Sequence, residues 1–325
     1  MKKPAFYVSI PPHLHSGDSL QKMHLETILA LVPAMFAGWF YFGWPALMII
    51  LISAVTALLT EYLWQKAIGR DVQINDGSAL ITGILLGFLM SAGSPWWTAI
   101  IGAFVAILVG KQLFGGLGSH PFNSALVGWT FLSLSYKDLL ANFPTPDPHF
   151  LLAPGEMLSD PALATFKGGG VGEIIDVPWK DLFLGNVPGE IGTVCVLAIL
   201  LGGAFLLYRR RITWHIPLSF IASAWIFAFI FWQIDPDTYA PPTFHILTGW
   251  IFLGAFFLAP EKGTCPVTTP GMILYGIGCG VITMIIRIWG SYVEGVAFAI
   301  LLMNAATPLL DRIKPRALGR VKEIA

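Results

Sequence analysis

About ten apolar segments, each long enough or nearly long enough to cross a bilayer, run through this chain of 325 residues. Hydrophobic residues make up 55% of it and charged residues only 12%, whereas a soluble domain carries roughly 25% charged residues. The pattern therefore predicts an all-α, polytopic membrane protein in contact with lipid. The segments lie near residues 25–44, 46–66, 78–92, 96–113, 122–136, 190–208, 214–233, 243–259, 271–289 and 292–310.

The basic residues divide unevenly between the two sides of the membrane. Counting alternate loops, the side of the N-terminus receives most of them, including the run Arg209-Arg210-Arg211 and the C-terminal tail. The opposite side receives Lys137, Lys167, Lys180 and Arg287. Because loops rich in lysine and arginine remain in the cytoplasm, the count predicts that both termini are cytoplasmic and that residues 137–189 face outward.

The segments form two sets of five, separated by that long polar stretch. An odd number of spans in each set means that the second set enters the membrane from the opposite side, as in inverted-repeat transporters. A short sequence similarity between Leu80–Gly83 and Leu247–Gly249 supports the repeat. The predicted divisions are an N-terminal arm (1–23), a first five-helix half (24–136), an outward-facing loop (137–189), a second five-helix half (190–311) and a basic tail (312–325).

Ionisable residues are scarce inside the segments. Glu26, Glu61, Glu190, Arg287 and Glu294 all lie near segment ends, which favours interfacial anchors over ligands for a cation or proton. Most tryptophans also fall near segment ends, where an amphipathic ring suits the headgroup level.

The sequence gives little evidence for the binding of a metal or of nucleic acid. His120 and His245 have no second ligand at helical spacing, so we predict no metal site. The three cysteines lie far apart and cannot supply the four thiolates of an iron–sulfur cluster. A net charge of zero argues against nucleic acid as a partner.

Two glycine- and proline-rich stretches face the inner side. They are residues 110–123, GKQLFGGLGSHPFN, and residues 259–266, APEKGTCP. Backbone N–H groups of such stretches can hold a phosphate or an aromatic cofactor. The glycines equally suit tight re-entrant turns, and the sequence leaves these two readings open.

Several motifs resemble a known family along nearly the whole chain. They include DGSALITG (76–83), GGLGSHPFNSA (115–125), LGNVPGEIG (184–192), TTPG (268–271) and Asn304. The family comprises RnfD, a membrane component of the Rnf ferredoxin:NAD oxidoreductase complex, and more distantly NqrB of the sodium-pumping NADH:quinone reductase. The resemblance implies two inverted five-helix repeats of the urea-transporter type, in the inner membrane of a bacterium.

The resemblance also implies FMN joined by a phosphoester to a threonine on the outer face. The family's acceptor pattern, close to D-x-x-[ST]-G-A-T, is matched best by Ser159–Phe166, SDPALATF, which makes Thr165 the expected acceptor. Asp160 is one residue too near the threonine, and Ala162 and Leu163 replace Ser or Thr and Gly. Thr193 and Thr145 are the alternatives.

In function, the resemblance implies a translocase subunit, not catalytic alone, that relays electrons between ferredoxin and NAD, coupled to Na⁺ or H⁺ movement. A second, noncovalent flavin, riboflavin or FMN, is implied between the halves. The implied partners are other membrane subunits, a peripheral NADH-binding subunit and a second FMN-carrying subunit. Lys167 or Lys180 is a candidate for stabilising negative charge on the flavin. The rival interpretation is a channel or secondary transporter of the same fold without a redox role.

Overall fold

The computed structural model describes residues 18–70, 72–146, 158–173 and 178–313. The described part is helical, with extended pairing at one isolated bridge between Pro144 and Leu158. Residues 1–17 of the predicted N-terminal arm, residues 314–325 of the basic tail, and residues 147–157 and 174–177 of the outward loop lie outside it. Helix α1 begins at Leu20, inside the predicted arm. The helices are α1 (Leu20–Ile68), α2 (Ser78–Phe88), α3 (Trp96–Leu108), α4 (Ser124–Ser135), α5 (Lys137–Leu140), α6 (Ala162–Gly169), α7 (Trp179–Leu184), α8 (Val196–Tyr208), α9 (His215–Ile234), α10 (Pro242–Leu247), α11 (Ile251–Leu253), α12 (Thr269–Trp289) and α13 (Val296–Leu310).

Helix α1 contains the first two predicted spans. Its helical conformation breaks at Gly43, where φ is 63° and ψ is −150°, two residues before Pro45. The left-handed φ suits glycine, and proline removes a backbone donor. The arms on either side of the break are each about 35 Å long, enough for the roughly 30 Å hydrocarbon core.

The length and apolar character of the helices confirm an integral membrane protein. Four helical stretches in the described part are long and apolar enough to cross a bilayer: Leu20–Ile68, Trp96–Phe114, His215–Ile234 and Thr269–Trp289. Four shorter apolar helices, α2, α4, α8 and α13, fall within other predicted spans. All ten predicted segments contain helix, while their arrangement as ten crossings in two inverted repeats stays a prediction.

The eighth predicted span is the most interrupted. It consists of α10, α11 and a π-helix at Gly254–Leu258. Between α10 and α11, Gly249 has φ 69°, and a Cβ there would lie 2.0 Å from a carboxylate oxygen of Glu294. Irregular backbone at membrane depth persists where protein surrounds it. Here a neighbouring side chain occupies the space that any larger residue would need.

Small residues bring the helices into close contact, as in other membrane bundles. A Cβ on Gly202 of α8 would lie 2.1 Å from the carbonyl oxygen of Ala30 in α1. On Gly83 of α2 it would lie 2.6 Å from the Cα of Ala54, also in α1. Helix α1 therefore packs directly on one helix from each predicted half.

The described part of the outward segment is largely helical. It forms α5, α6 and α7. Ala162 and Leu163 of α6 and Leu182 of α7 form a small apolar cluster with Ala240 and Phe244 next to and within α10. The cluster places α6 beside the interrupted helix.

Candidate cofactor sites

Two cavities lie at opposite ends of the bundle. We call the end that contains α6 and α7 the outer end and the opposite one the inner end, after the predicted orientation. The outer cavity has a volume of about 320 Å³ and the inner cavity about 280 Å³. Both volumes are close to the lower limit of the range for small-molecule sites, about 300–1,000 Å³.

The walls of the outer cavity are mainly apolar, with a few polar groups, as is usual for cofactor sites. Helix α6 and the residues just before it form one wall, from Asp160 to Ala164. The opposite walls include Trp129, Ser133, Lys137, Leu182, Glu190, Thr193, Thr248, Tyr292 and Glu294. The stretch predicted to carry the flavin thus borders a half-open cavity.

The three candidate acceptors all lie at the outer end, in different surroundings. Thr165 is half-buried in α6, directly after the cavity wall, and its hydroxyl donates to the carbonyl of Ala162 at 2.8 Å. Thr193 is buried and donates to the carboxylate of Glu190 at 3.0 Å. Thr145 is half-buried next to the Pro144–Leu158 bridge. An enzyme that attaches a flavin needs an accessible hydroxyl, which favours Thr165 and Thr145 over Thr193.

Lys167 does not face the outer cavity. Its ammonium group donates to the carbonyl oxygen of Ile286 at 3.2 Å and to that of Tyr292. Burial lowers the pKa of Lys167 below its usual value, while the carboxylate of Glu294 opposes that shift. Lys180 is exposed and lies 6.0 Å from the ring centre of Trp179. Neither lysine lines the outer cavity.

The inner cavity joins the two glycine- and proline-rich stretches singled out in the sequence. Lys111, Gly118, His120 and Asn123 come from the first stretch, and Pro260–Gly263 come from the second. The start of α1, Arg211 after α8, and Phe256 and Phe257 of the π-helix complete the walls. The two stretches therefore line a cavity as well as forming turns.

The two cavities end one helical turn apart. Leu85 of α2 lines the inner cavity and Leu89 lines the outer one, and Ala125 and Trp129 of α4 repeat this arrangement. Four residues of helix correspond to about 6 Å. Fully buried side chains, including those of Leu86 and Leu126, fill the layer between the two cavities, which we call the septum.

An aromatic pair lies at this septum, and the sequence did not single it out. The rings of Trp129 and Trp250 are 4.5 Å apart and nearly perpendicular, a favourable geometry. Trp250 is completely buried. Its position in the middle of a predicted span distinguishes it from the tryptophans near span ends.

The interpretation of the ionisable residues as solvated anchors is wrong for most of them. Glu26, Glu61, Arg287 and Glu294 are buried, and Glu190 is half-buried. Hydrocarbon is a poor solvent for charge, and four of these five groups take part in ion pairs. Glu26, for example, accepts from Arg209 at 2.5 Å and also from Arg211, which links the start of α1 to the end of α8.

Near the inner cavity, Glu61 and Lys111 form a buried ion pair. The two charged atoms are 2.8 Å apart, and both side chains are 2% exposed. Gln112 donates to the same oxygen of Glu61 at 2.7 Å. Lys111 also donates to the hydroxyl of Ser78, the first residue of α2, at 2.5 Å. The pair thereby ties α1 to the start of α2.

Near the outer cavity, Arg287 and Glu294 form a second buried pair at 2.9 Å. Arg287 donates to the carbonyl oxygens of His245 at 2.6 Å and Thr248 at 3.0 Å. Glu294 accepts from the backbone N–H of Trp250 at 3.2 Å. The pair therefore holds the backbone on both sides of the break at Gly249.

Two side chains of the HPFN motif join the predicted halves at the inner end. Asn123 caps α4 by accepting from the N–H of Leu126 and donates to the carbonyl of Leu258, both at 3.1 Å. His120 lies 3.5 Å from the carboxylate of Glu261. Burial lowers the pKa of His120, but hydrogen bonding to Glu261 and the charge of Glu261 outweigh burial, so the pKa is raised.

The raised pKa of His120 predicts a pH dependence of stability. Protonated His120 contributes stability below its unfolded pKa of about 6.5, and the contribution is lost as pH rises through the higher folded value. A His120→Gln variant should lose up to about 1 kcal/mol relative to the wild type at acidic pH and less at alkaline pH. Thermal unfolding in detergent across that range tests this, and a constant difference would contradict it.

The sequence matches one family of membrane proteins over most of its length. Residues 7–319 match the family described as NQR2, RnfD, RnfE. The chain belongs to that family. It is 38% identical over 321 residues to the D subunit of the Na⁺-translocating ferredoxin:NAD⁺ oxidoreductase complex of Acetobacterium woodii, covering 97% of this chain and 96% of that protein.

Other relatives in this family are named for different coupling ions. The chain is 36% identical over 326 residues to the D subunit of the proton-translocating ferredoxin:NAD⁺ oxidoreductase complex of Clostridium ljungdahlii, covering 96% of this chain and 95% of that protein. It is 36% identical over 338 residues to the D subunit of the ion-translocating oxidoreductase complex of Halorhodospira halophila, covering 96% of this chain and 95% of that protein. The resemblance read from the motifs is confirmed.

Proposed function

We propose that this chain is the membrane subunit of an ion-translocating ferredoxin:NAD oxidoreductase and carries FMN on Thr165. Its family and the names of its full-length relatives support membership of such a complex. The observation that carries the cofactor assignment is the position of α6, which bears Thr165 and borders the outer cavity. Within the complex, the subunit relays electrons between ferredoxin and NAD and couples their flow to Na⁺ or H⁺ movement.

The residues around the outer cavity suit a flavin. FMN, when bound, supplies the redox chemistry, and the protein provides position and electrostatics. Leu163, Trp129 and Tyr292 offer apolar and aromatic surface for the ring system, while Ser133 and Lys137 offer polar contacts. A phosphoester on Thr165 would keep the cofactor at the outer end.

The inner cavity is the proposed site of a second, noncovalent flavin, riboflavin or FMN. Phe256 and Phe257 present aromatic surface there, and Lys111, His120 and Asn123 present polar atoms. The short septum between the cavities supports electron transfer from one end of the membrane to the other.

We place the protein in a bacterial inner membrane with both termini in the cytoplasm. Lys111, Arg211 and Lys262 all lie at the inner end with the start of α1, in keeping with the uneven distribution of basic residues. The proposed partners are further membrane subunits of the complex, a peripheral NADH-binding subunit and a second FMN-carrying subunit.

A channel or secondary transporter of the same fold is the competing function. A conducting channel needs a continuous polar path, whereas buried apolar and aromatic residues separate the two cavities. This septum argues against an open channel. Solute flux retained by a protein that never acquires flavin would favour the transporter.

Flavin fluorescence in a denaturing gel tests the acceptor, because a covalent flavin remains with the band. We expect Thr165→Ala to remove the fluorescence completely, since the hydroxyl that forms the phosphoester is gone. Thr145→Ala and Thr193→Ala are matched controls that should keep it. Fluorescence retained by Thr165→Ala would move the acceptor elsewhere, and a dark wild-type band from a host that flavinylates other proteins would contradict the covalent link.

A further inference from the structure

The proposed acceptor helix α6 reaches the helical bundle through two side chains directly after Thr165. The ring of Phe166 lies 5.8 Å from that of Phe244 and 5.6 Å from that of His245, both edge-on. The ammonium group of Lys167 donates to the carbonyl oxygens of Ile286 and Tyr292. One contact is therefore aromatic and the other is a pair of charge-assisted hydrogen bonds.

The aromatic contact rests on backbone held by Arg287, and the contact of Lys167 lies beside the same arginine in the chain. The carbonyl of His245 accepts from Arg287 at 2.6 Å, and Ile286 directly precedes Arg287 in the last turn of α12. Tyr292 lies between Arg287 and its partner Glu294 in the chain. A cation near the C-terminus of a helix also interacts favourably with the helix dipole. Lys167 thus binds backbone next to the buried ion pair.

Thr165 contributes no such contact of its own. Its hydroxyl donates within α6, to the carbonyl of Ala162. The position of that hydroxyl relative to the cavity therefore depends on how α6 is held. Because the ammonium group of Lys167 is engaged by two carbonyl groups, its geometry suits anchoring of the helix better than direct contact with a ligand.

We propose that Lys167 is a positioning residue for the flavin: it anchors α6 to the α12–α13 connection and so fixes the flavin on Thr165 against the outer cavity. This inference rests on the proposed function. It replaces the sequence-based candidate role of Lys167, stabilisation of negative charge on the flavin, by a geometric one.

The test compares Lys167→Met, Lys167→Arg and Lys180→Met in the assembled complex. Lys180→Met is the matched control, because Lys180 is an exposed lysine of the same outward segment. In Lys167→Met we expect amide exchange in residues 162–169 to accelerate at least about tenfold, since a local anchor of the helix is lost. We also expect lower flavin fluorescence anisotropy and a midpoint potential nearer that of free FMN.

The conservative variant separates anchoring from general damage. Arginine can donate to both carbonyls, so Lys167→Arg should restore wild-type exchange, anisotropy and potential. Phe166→Leu, which weakens the aromatic contact, should shift all three in the same direction by less. If Lys167→Met carries covalent flavin with unchanged anisotropy and potential, the inference about Lys167 is overturned while the proposed function stands. A wild-type chain without covalent flavin would overturn the proposed function, and unchanged exchange in Lys167→Met would still refute the anchoring.

Discussion

Replacing Arg287 by methionine is expected to lower the free energy of unfolding by about 3–5 kcal/mol, the usual cost of removing one partner from a buried ion pair. The change leaves Glu294 buried without its counter-ion and removes the donors to the carbonyls of His245 and Thr248. The break at Gly249 and the wall of the outer cavity depend on those bonds. Thermal and chemical unfolding of the protein in detergent measures the loss.

Two variants calibrate the Arg287 result. Arg287→Lys keeps the charge but not the planar fork of donors, so it should recover only part of the stability. Lys66→Met removes an exposed cation from the last turn of α1 and should change stability by less than about 1 kcal/mol. Equal stability of Arg287→Met and Lys66→Met would refute the structural role assigned to the buried pair.

Replacing Lys111 by methionine should also lower the free energy of unfolding by about 3–5 kcal/mol. The change leaves the Glu61 carboxylate buried without its counter-ion, with only amide groups to donate to it. The contact with the hydroxyl of Ser78 at the start of α2 is lost with it. Unfolding measurements in detergent, read together with flavin content, would show whether the inner cavity changes while the outer site stays intact.

A double-mutant cycle provides the sharper test of this pair. Adding Glu61→Gln to Lys111→Met removes the unpaired charge, so the double variant should be more stable than Lys111→Met. We expect a coupling energy above about 1 kcal/mol, within the range for residues in direct contact. Additive effects of the two substitutions would show that the 2.8 Å contact contributes no net stability.

The basic members of the two pairs occupy related places in the chain. Lys111 follows α3 and Arg287 lies in the last turn of α12, the fourth predicted span of each half. Lys111 binds at the start of α2 and Arg287 at the end of α10, each within the third predicted span of its half. One cavity lies beside each pair. Their acidic partners do not correspond, since Glu61 lies in the second predicted span and Glu294 at the start of the fifth, so the inverted repeat stays a prediction.

Hydropathy predicted the helices well because lipid leaves few alternatives for apolar backbone. All ten predicted segments contain helix, and Gly43 with Pro45 marks the boundary between the first two. The interruption of the eighth span was less predictable. It depends on Gly249 approaching Glu294, a contact between residues 45 positions apart in the sequence.

Site residues were predictable where a motif carried them and not where tertiary pairing decided their role. The HPFN motif pointed to the inner cavity, and Asp160–Thr165 pointed to the outer one. Position along a span could not show that Glu61 meets Lys111, or that Trp129 meets Trp250, because each pair comes from separate helices. Lysines near segment ends likewise gave no sign that Lys167 anchors α6.

Mass spectrometry of the protein's tryptic peptides tests the central claim most directly. Cleavage after Lys137 and Lys167 releases residues 138–167, which contain Thr145 and Thr165, and cleavage after Lys180 and Arg209 releases residues 181–209 with Thr193. We predict that peptide 138–167 is heavier by FMN less one water, and that fragmentation places the addition on Thr165. Unmodified peptides throughout, from a host that flavinylates other proteins, would contradict the account.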